Sequence, residues 1–323
     1  MQTQEIPRPA GATPVALLPG PTGRPQGLLL HVLLVIWRAM TISRKVAVGS
    51  AIVGLFILVG LFGPFLMTIN PNATSHLFIA PPSAEHWLGT TVVGEDLFSQ
   101  LIYATRTSVF WGLGTGLLVT LLSVVVGLVG GYFGGWIDDV LTLLTNVSLV
   151  LPALPLAIVL AAYFPRGPLT ISLVIVFTNW AWQARVLRSQ TLSMRSREFV
   201  TASRVSGEHN WRIIFFEIFP NEIALVVAGF VSTTIYVVLT WAALEFLGLG
   251  DGTIPSWGSM LYWAQQAGAL GGGLWWWFVP PGACIAILGA GLSLINFGID
   301  EIADPRLRRE RPVKAGTSRK AVA

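Results

Sequence analysis

Six stretches of this chain, each about 16 to 25 residues long, contain no lysine, arginine, aspartate or glutamate. They lie at residues 46–67, 107–131, 140–162, 169–184, 223–244 and 274–297. A helix needs about 20 apolar residues to cross the roughly 30 Å hydrocarbon core of a bilayer. Lipid offers no partner to a free backbone amide, so a single segment can cross only as a helix. We therefore predict an all-α fold, a polytopic bundle of six transmembrane helices in a lipid bilayer.

The composition excludes the other broad classes of protein. Hydrophobic residues make up 53% of the chain and charged residues only 11%, against about 25% charged in soluble domains. A disordered chain is poor in aromatic residues, whereas this one has 13 Trp and 17 Phe. The single cysteine, Cys284, lies in an apolar stretch and has no partner for an intramolecular disulfide.

The basic residues indicate which loops share a side of the membrane. Eighteen of the 20 lysines and arginines lie before residue 46, between 185 and 212, or after 300. Lysine and arginine are enriched in cytoplasmic loops, and an even number of spans puts both termini on one side. We therefore expect both termini and the 185–221 segment in the cytoplasm. The only basic residues in the outer loops are then Arg106 and Arg166. This distribution of basic residues explains the formal charge of +4 without a nucleic-acid partner.

The flanking segments differ from the spans. Residues 1–27 are rich in Pro, Gly, Ala and Thr and are predicted to be a disordered cytoplasmic tail. Residues 28–45 suit an interfacial helix, with a cleaved signal peptide as the competing interpretation. The spans then form one transmembrane domain over 46–299, and residues 300–323 form a basic cytoplasmic tail.

Motifs for catalysis are missing from the sequence. It contains no H-E-x-x-H, no G-x-S-x-G and no Gly-Lys pair, so this chain has no P-loop of its own and is not predicted to be an enzyme. An outer loop contains acidic and histidine side chains that could bind a metal, but a solvated loop is the expected reading. These residues are His76, Glu85, His86, Glu95 and Asp96. No metal site is predicted.

Small residues and prolines mark positions within the spans. Glycines at intervals of four lie on one helix face and let a second helix approach closely; they are Gly112 and Gly116, then Gly127, Gly131 and Gly135. Prolines are expected to bend or open the third and sixth spans, which suits either a transport path or an ordinary membrane helix. They are Pro152, Pro155, Pro280 and Pro281.

The 185–221 segment is the longest on the basic side and carries helix-boundary signals. Ser196 is suited to cap a helix, Glu198 favours its first turn, and Gly207 is suited to end it after about three turns. Asn210 is suited to cap a second helix that runs through Pro220 into the membrane. A short capped helix between two spans predicts a docking surface for a cytoplasmic partner.

These residues and several others, in order, resemble one family. The segment EFVTASR at 198–204, followed by Gly207 and by FPN at 219–221, resembles the EAA coupling loop of ABC-importer permeases. Five further motifs resemble the C-type subunit of the dipeptide and oligopeptide permease family: HWLGT with GED at 86–96, GYFGG at 131–135, FLGLG at 246–250, PSWG at 255–258 and DPRLR at 304–308. The resemblance covers roughly residues 30 to 310.

The chain departs from the family pattern at several positions. Thr201 stands where a glutamate is usual, Ser203 where the second alanine is usual, and Glu95 where an arginine is usual. Glu217 and Phe219 also replace the usual residues, while the spacing from Ala202 to Gly207 is kept.

The resemblance implies a type I ABC-importer permease with a cytoplasmic coupling helix in the bacterial inner membrane. Its implied partners are two ATPase subunits, which bind ATP and magnesium, a second homologous permease and an extracytoplasmic solute-binding protein. The residues implied in coupling are Glu198, Thr201, Ala202, Ser203, Arg204, Gly207 and Pro220. The chain itself is expected to hold no cofactor.

The expected substrate is a short peptide, with an oligosaccharide or another small solute as the alternative within the family. Aromatic and polar side chains in the spans are expected to line the path: Asn179, Trp180, Trp182, Tyr236, Trp241 and Glu245. A self-contained secondary carrier, and a membrane scaffold or enzyme, are the alternatives outside the family. A carrier would normally need an ionisable group at mid-membrane depth, and the six spans as drawn contain none.

Overall fold

The computed structural model describes residues 44–303, the side chains of 300–303 excepted. The expected tail at 1–27, most of the expected interfacial helix and the C-terminal tail beyond residue 303 lie outside the described residues. Arg44 and Lys45, expected at the end of the interfacial helix, instead begin the first membrane helix.

Helices account for all the regular elements longer than a single bridge among residues 44–303. In chain order they are α1 (Arg44–Leu66), α2 (Leu97–Phe133), α3 (Gly135–Val150), α4 (Ala153–Tyr163), α5 (Pro168–Asn179), α6 (Ala181–Met194), α7 (Glu198–Val205), α8 (Asn210–Arg212), a π-helical segment (Ile213–Ile218), α9 (Phe219–Phe246), α10 (Trp257–Gln266) and α11 (Trp275–Ala303). The predicted all-α fold is confirmed for this part of the chain.

Four helical segments are long and apolar enough to cross a bilayer, and a bent pair raises the number to five. The four are Arg44–Leu66, Leu97–Phe133, Asn210–Phe246 and Trp275–Ile299. The pair is α3 with α4, and α5 is apolar but has only 12 residues. Helix length alone therefore supports a multi-pass membrane protein, and the number six stays a prediction.

The third predicted span is bent rather than straight. Its two halves, α3 and α4, meet at 91° across Leu151 and Pro152. Pro152 has an extended ψ of 108°, and it lacks the N–H that would continue the helix. The expected bend is confirmed here. In the sixth span α11 instead continues through Pro280 and Pro281, and both α9 and α10 pack against this helix.

The fourth predicted span, 169–184, is interrupted at Trp180, which separates α5 from α6. Residues 185–194, expected in the loop, belong to α6, so the helix reaches further along the basic segment than the apolar run indicated.

The long helix α2 lies at the centre of the bundle, where it packs against α1, α5, α6, α9 and α10. Glycines allow its closest contacts. A Cβ atom at Gly131 would lie 2.6 Å from the Cβ of Thr191, and one at Gly127 would lie 2.7 Å from the Cβ of Leu187. Real Cβ contacts are not that short, so these glycines set the separation of α2 and α6. Close packing at both positions was predicted, whereas Gly135 lies beyond the end of α2, with no atom within 4 Å of a Cβ there.

The two ends of the bundle differ in construction. One end, which we call the long-loop end, carries residues 67–96 and 247–274, including α10. The other, which we call the short-helix end, carries the junction of α2 with α3 together with α7, α8 and the π-helical segment. At the short-helix end, buried apolar side chains from these elements pack into one cluster: Leu128, Tyr132, Leu187, Val200, Ile213, Ile214 and Ile218 are among them.

Replacing Gly131 with alanine is expected to destabilise the bundle by about 1 to 3 kcal/mol, because the added methyl group overpacks the contact with Thr191. Thermal unfolding of the detergent-solubilised protein measures this change. Gly114→Ala is the matched control, since a Cβ at Gly114 on the same helix meets no atom within 4 Å. An unfolding temperature unchanged by Gly131→Ala would contradict the packing argument.

Candidate coupling site

The short helix α7 has well-defined ends at the short-helix end of the bundle. Arg197 is its N-cap residue but provides no side-chain bond, and the Ser196 hydroxyl donates to the carbonyl of Ser193. Capping by Ser196 was therefore wrong, and the helix is shorter than the three turns expected, with eight residues. Glu198 in the first turn and Arg204 in the last both interact favourably with the helix dipole.

Gly207 ends α7 as predicted. Its φ is +79°, a left-handed conformation that non-glycine residues adopt only at a cost. The Gly207 N–H donates to the carbonyl of Arg204 (3.0 Å), and the Glu208 N–H donates to that of Ser203 (3.1 Å). These two bonds form a Schellman motif. The chain therefore turns sharply away from α7 and begins α8.

Arg204 holds α7 against the end of α2. Its Nε donates to the Tyr132 hydroxyl at 3.4 Å, and its guanidinium lies 4.9 Å from the centre of the Tyr132 ring. The same hydroxyl donates to Oδ1 of Asn210 at 3.0 Å. Val200 is fully buried beneath the helix. Three segments that are distant in sequence thus meet at Tyr132, and the GYFGG motif supplies the common contact.

The opposite face of α7 is open. Glu198, Thr201 and Ala202 are exposed, and Val205 is 85% exposed. Among the predicted coupling residues, Ser203 is half-buried. The guanidinium group of Arg204 points back toward the Tyr132 ring. The structure thus brings the residues of the EAA-like loop onto one short helix with an exposed small residue at its centre.

Pro220 lies just after the π-helical segment. In an α-helix its ring would press on the carbonyl four residues earlier, and the wider turn before it relieves this contact. The Phe219 N–H bonds five residues back to Ile214, and the Asn221 side-chain amide donates to the carbonyl of Glu217 at 2.6 Å. The helix from α8 to α9 is therefore continuous, as the sequence predicted. The prediction that Asn210 caps it was wrong, because the N-cap residue is His209, whose Nδ1 accepts from the Trp211 N–H at 3.4 Å.

A second link joins α3 to α6 nearby. Nε of Arg188 donates to Asp138 at 2.5 Å and Nη2 donates to the second carboxylate oxygen at 2.7 Å. Nη1 of Arg195 donates to the carbonyl of Gly131 at 3.3 Å. In the sequence, Arg188 and Arg195 indicated only that this segment lies in the cytoplasm. In the structure, they also link α6 to α3 and to the end of α2.

The predicted path residues do not share one surface. Trp180 and Trp241 belong to one buried apolar cluster, with Trp241 stacked on Trp111. Asn179 donates to the carbonyl of Ile175 within its own helix. Trp182 is 69% exposed and Tyr236 is also exposed. These positions therefore remain proposals for the path, divided between the interior and the outer surface of the bundle.

Glu245, another of the residues expected to line the path, is buried. It is 5% exposed, and the Ser256 hydroxyl donates to it at 2.5 Å. A Cβ at Gly258 would lie 2.7 Å from the Glu245 Cβ, and one at Gly250 would lie 2.9 Å from its Cγ. The FLGLG and PSWG motifs therefore fold as a tight cover over this carboxyl group. Next to it Thr253 donates two hydrogen bonds to the half-buried Asp251, which lowers the pKa of that carboxyl group.

Two buried polar residues were missed by sequence reasoning. Glu222 is 1% exposed and accepts a hydrogen bond from the Thr191 hydroxyl at 2.9 Å. Gln183 accepts from Thr233 at 3.1 Å and from Thr120 at 3.4 Å. Glu222 directly precedes the apolar run at 223–244, and Gln183 lies inside the run at 169–184. These positions within or beside a predicted span were the sequence feature that could have indicated their burial.

Two of the outer-loop residues considered for a metal, His86 and Asp96, contact each other at the start of α2. Asp96 caps α2 by accepting from the Ser99 N–H at 2.8 Å, and its other oxygen lies 2.9 Å from Nδ1 of His86. The HWLGT and GED motifs are thereby joined at the start of α2.

Comparison with known proteins agrees with this architecture. Residues 120–309 match the family described as the binding-protein-dependent transport system inner membrane component. The chain belongs to this family. It is 32% identical over 271 residues to the oligopeptide transport system permease protein OppC of Bacillus subtilis strain 168, covering 83% of this chain and 88% of that one.

Two dipeptide transport system permease proteins, both named DppC, are also similar. The protein from Alkalihalophilus pseudofirmus is 32% identical over 82% of this chain and 87% of its own length. The protein from Bacillus subtilis strain 168 is 33% identical over 80% of this chain and 82% of its own length. The resemblance to dipeptide and oligopeptide permeases is therefore confirmed over most of this family member.

In this permease, Arg204→Ala is expected to speed amide hydrogen exchange across residues 198–205 by about fivefold, because a hydrogen bond and a cation–π contact with Tyr132 are lost. Tyr132→Phe keeps the ring and should have a smaller effect. Arg197→Ala is the matched control, since the Arg197 side chain makes no hydrogen bond or ion pair with any described residue. Equal exchange in all three variants would rule out Arg204 as the anchor.

Proposed function

We propose that this chain is the transmembrane permease subunit of an ATP-driven importer and forms part of the path for short peptides. Support for the peptide comes from relatives named for oligopeptide and dipeptide transport. Support for ATP-driven transport comes from α7, a helix fixed on one side by Tyr132 and exposed on the other. That exposed helix is the observation on which the proposal mainly rests.

In this proposal α7 docks in a cleft of an ATPase subunit. Ala202 lies at the exposed centre of the helix, where only a small side chain permits close approach. ATP and magnesium are bound by two partner ATPases, because this chain has no P-loop. A second homologous permease completes the path, and an extracytoplasmic solute-binding protein delivers the substrate.

Force reaches the membrane domain through two routes in this proposal. Arg204 joins α7 to α2 through Tyr132, and the α8 segment continues through the π-helical segment into α9. Movement of α7 therefore acts on two long helices whose contact includes Gly112 and Gly116, since a Cβ at either would press on α9. Alternating access then takes place between this bundle and the second permease.

We also propose six crossings with both termini in the cytoplasm of a bacterial cell. The bent pair α3 and α4 counts as one crossing, and α5 with the start of α6 as another. The short-helix end then faces the cytoplasm and the long-loop end faces outward, as the distribution of basic residues indicates.

Cysteine labelling tests this orientation in a Cys284→Ala background, which contains no other cysteine. A cysteine at Ala84, exposed in the long loop, should react with a membrane-impermeant maleimide in intact cells. A cysteine at Ser206, exposed after α7, should react only after permeabilisation. Labelling of Ser206→Cys in intact cells would contradict both the orientation and the docking of a cytoplasmic ATPase.

Transport tests the coupling role. Ala202→Asp and Gly207→Val should abolish uptake of a labelled peptide and reduce co-purification of the ATPase, because one places a charge in the docking face and the other strains a left-handed residue. Gly207→Asn is the matched control, since asparagine tolerates this conformation. Membrane insertion should be unaffected.

Normal uptake by Ala202→Asp and Gly207→Val would contradict coupling through α7 and favour a self-contained carrier. Competition by cellobiose but not by unlabelled peptides would replace the peptide with an oligosaccharide.

A further inference from the structure

Two neighbouring cavities open at the long-loop end of the bundle, with volumes of about 390 Å³ and about 480 Å³. They share three wall residues, Asn72, Thr253 and Pro255. Each cavity contains one charged residue, and the two charges are opposite: Glu95 lines the first and Arg106 lines the second. The combined volume suits a small ligand.

Glu95 is partly buried and is held in place by neutral donors. Nε2 of Gln100 donates to its carboxylate at 2.8 Å, and the Thr91 hydroxyl lies 3.5 Å away. Within residues 44–303 no cation pairs with it. Trp263, 48% exposed, lines the same cavity. A carboxylate beside an indole ring is a suitable environment for an ammonium group.

Arg106 lies on α2, whereas Glu95 directly precedes Asp96, the N-cap residue of this helix. At 1.5 Å per residue, Arg106 is about 15 Å along the helix axis from Asp96. It is exposed, and among the described residues its guanidinium makes no hydrogen bond or ion pair. It is one of only two basic residues in the predicted outer loops, where basic residues are otherwise missing. A guanidinium is well suited to bind a carboxylate through two parallel hydrogen bonds.

We propose that the two cavities together bind a short peptide with free ends, with its ammonium group at Glu95 and its carboxylate at Arg106. This inference rests on the proposed function and on the outward orientation of the long-loop end. An extended chain covers at most about 3.3 to 3.6 Å per residue, so peptides of about four to five residues match the rise of about 15 Å along α2 from Asp96 to Arg106. A neutral oligosaccharide has no charged end to pair with either side chain.

Binding of capped peptides tests each charge separately. The assembled membrane complex in nanodiscs, without solute-binding protein, is titrated with tetraalanine, N-acetyl-tetraalanine and tetraalanine amide. Glu95→Gln, which keeps an acceptor for Gln100, should raise the Kd of the two forms with a free amine by about fivefold and leave the N-acetyl form unchanged. Arg106→Gln should raise the Kd of the two forms with a free carboxylate by a similar factor and leave the amide unchanged.

Two matched controls remove a charge elsewhere at the same end. Glu85→Gln alters an exposed carboxylate that lines neither cavity, and Arg166→Gln removes the other outer basic residue. Both should bind all three peptides as the unaltered protein does. If Glu95→Gln or Arg106→Gln weakened the binding of all three peptides equally, the effect would be structural, and the assignment of the two peptide ends would be overturned.

The outcomes separate this inference from the proposed function. If cells import tetraalanine but the Glu95→Gln and Arg106→Gln complexes bind all three forms like the unaltered complex, the site is wrong and the peptide permease stands. The same holds if cells import tetraalanine while the complex binds none of the three. If cells import no peptide, both the site and the peptide assignment fall.

Discussion

The contact between α2 and α6 is the constraint on which the rest of the bundle depends. Gly127 and Gly131 let the two backbones approach so closely that even a methyl group would collide with Leu187 or Thr191. In lipid, where apolar side chains gain little from leaving their surroundings, such close packing is a principal source of helix association. Since α6 leads directly into α7, the separation of α2 and α6 also decides where α7, the proposed coupling helix, begins.

The helix α2 extends this constraint to both ends of the protein. Its 37 residues make it about 55 Å long, which exceeds the hydrocarbon thickness by a wide margin. One end is capped by Asp96 next to Glu95, and the other carries Tyr132 beneath Arg204. One rigid element therefore connects the cavities at the long-loop end with α7, the proposed docking helix, at the short-helix end.

Much of this arrangement could be predicted from the sequence, because apolar length, glycine spacing and helix-ending glycines depend on local physics. The close approach of a second helix at Gly127 and Gly131, the bend at Pro152 and the left-handed Gly207 follow from such local rules. The burial of Glu245 does not, because it depends on a loop 11 residues away folding back to donate from Ser256. The sequence also does not predict that Trp180 is buried while Trp182, two residues later, is exposed. Tertiary contacts decide both.

The π-helical segment at Ile213–Ile218 has a consequence for the direction in which α7 faces. A helical residue advances the chain by about 100° around the axis, and a π turn accommodates one residue more than an α turn. The residues of α8, which directly precede this segment, are therefore rotated by about that angle relative to a uniform α-helix that continues into α9. The direction of α8, and of the end of α7 joined to it, therefore depends on this local change of helical pitch. A single-residue deletion in the π-helical segment would rotate both without altering any residue on the proposed docking face of α7.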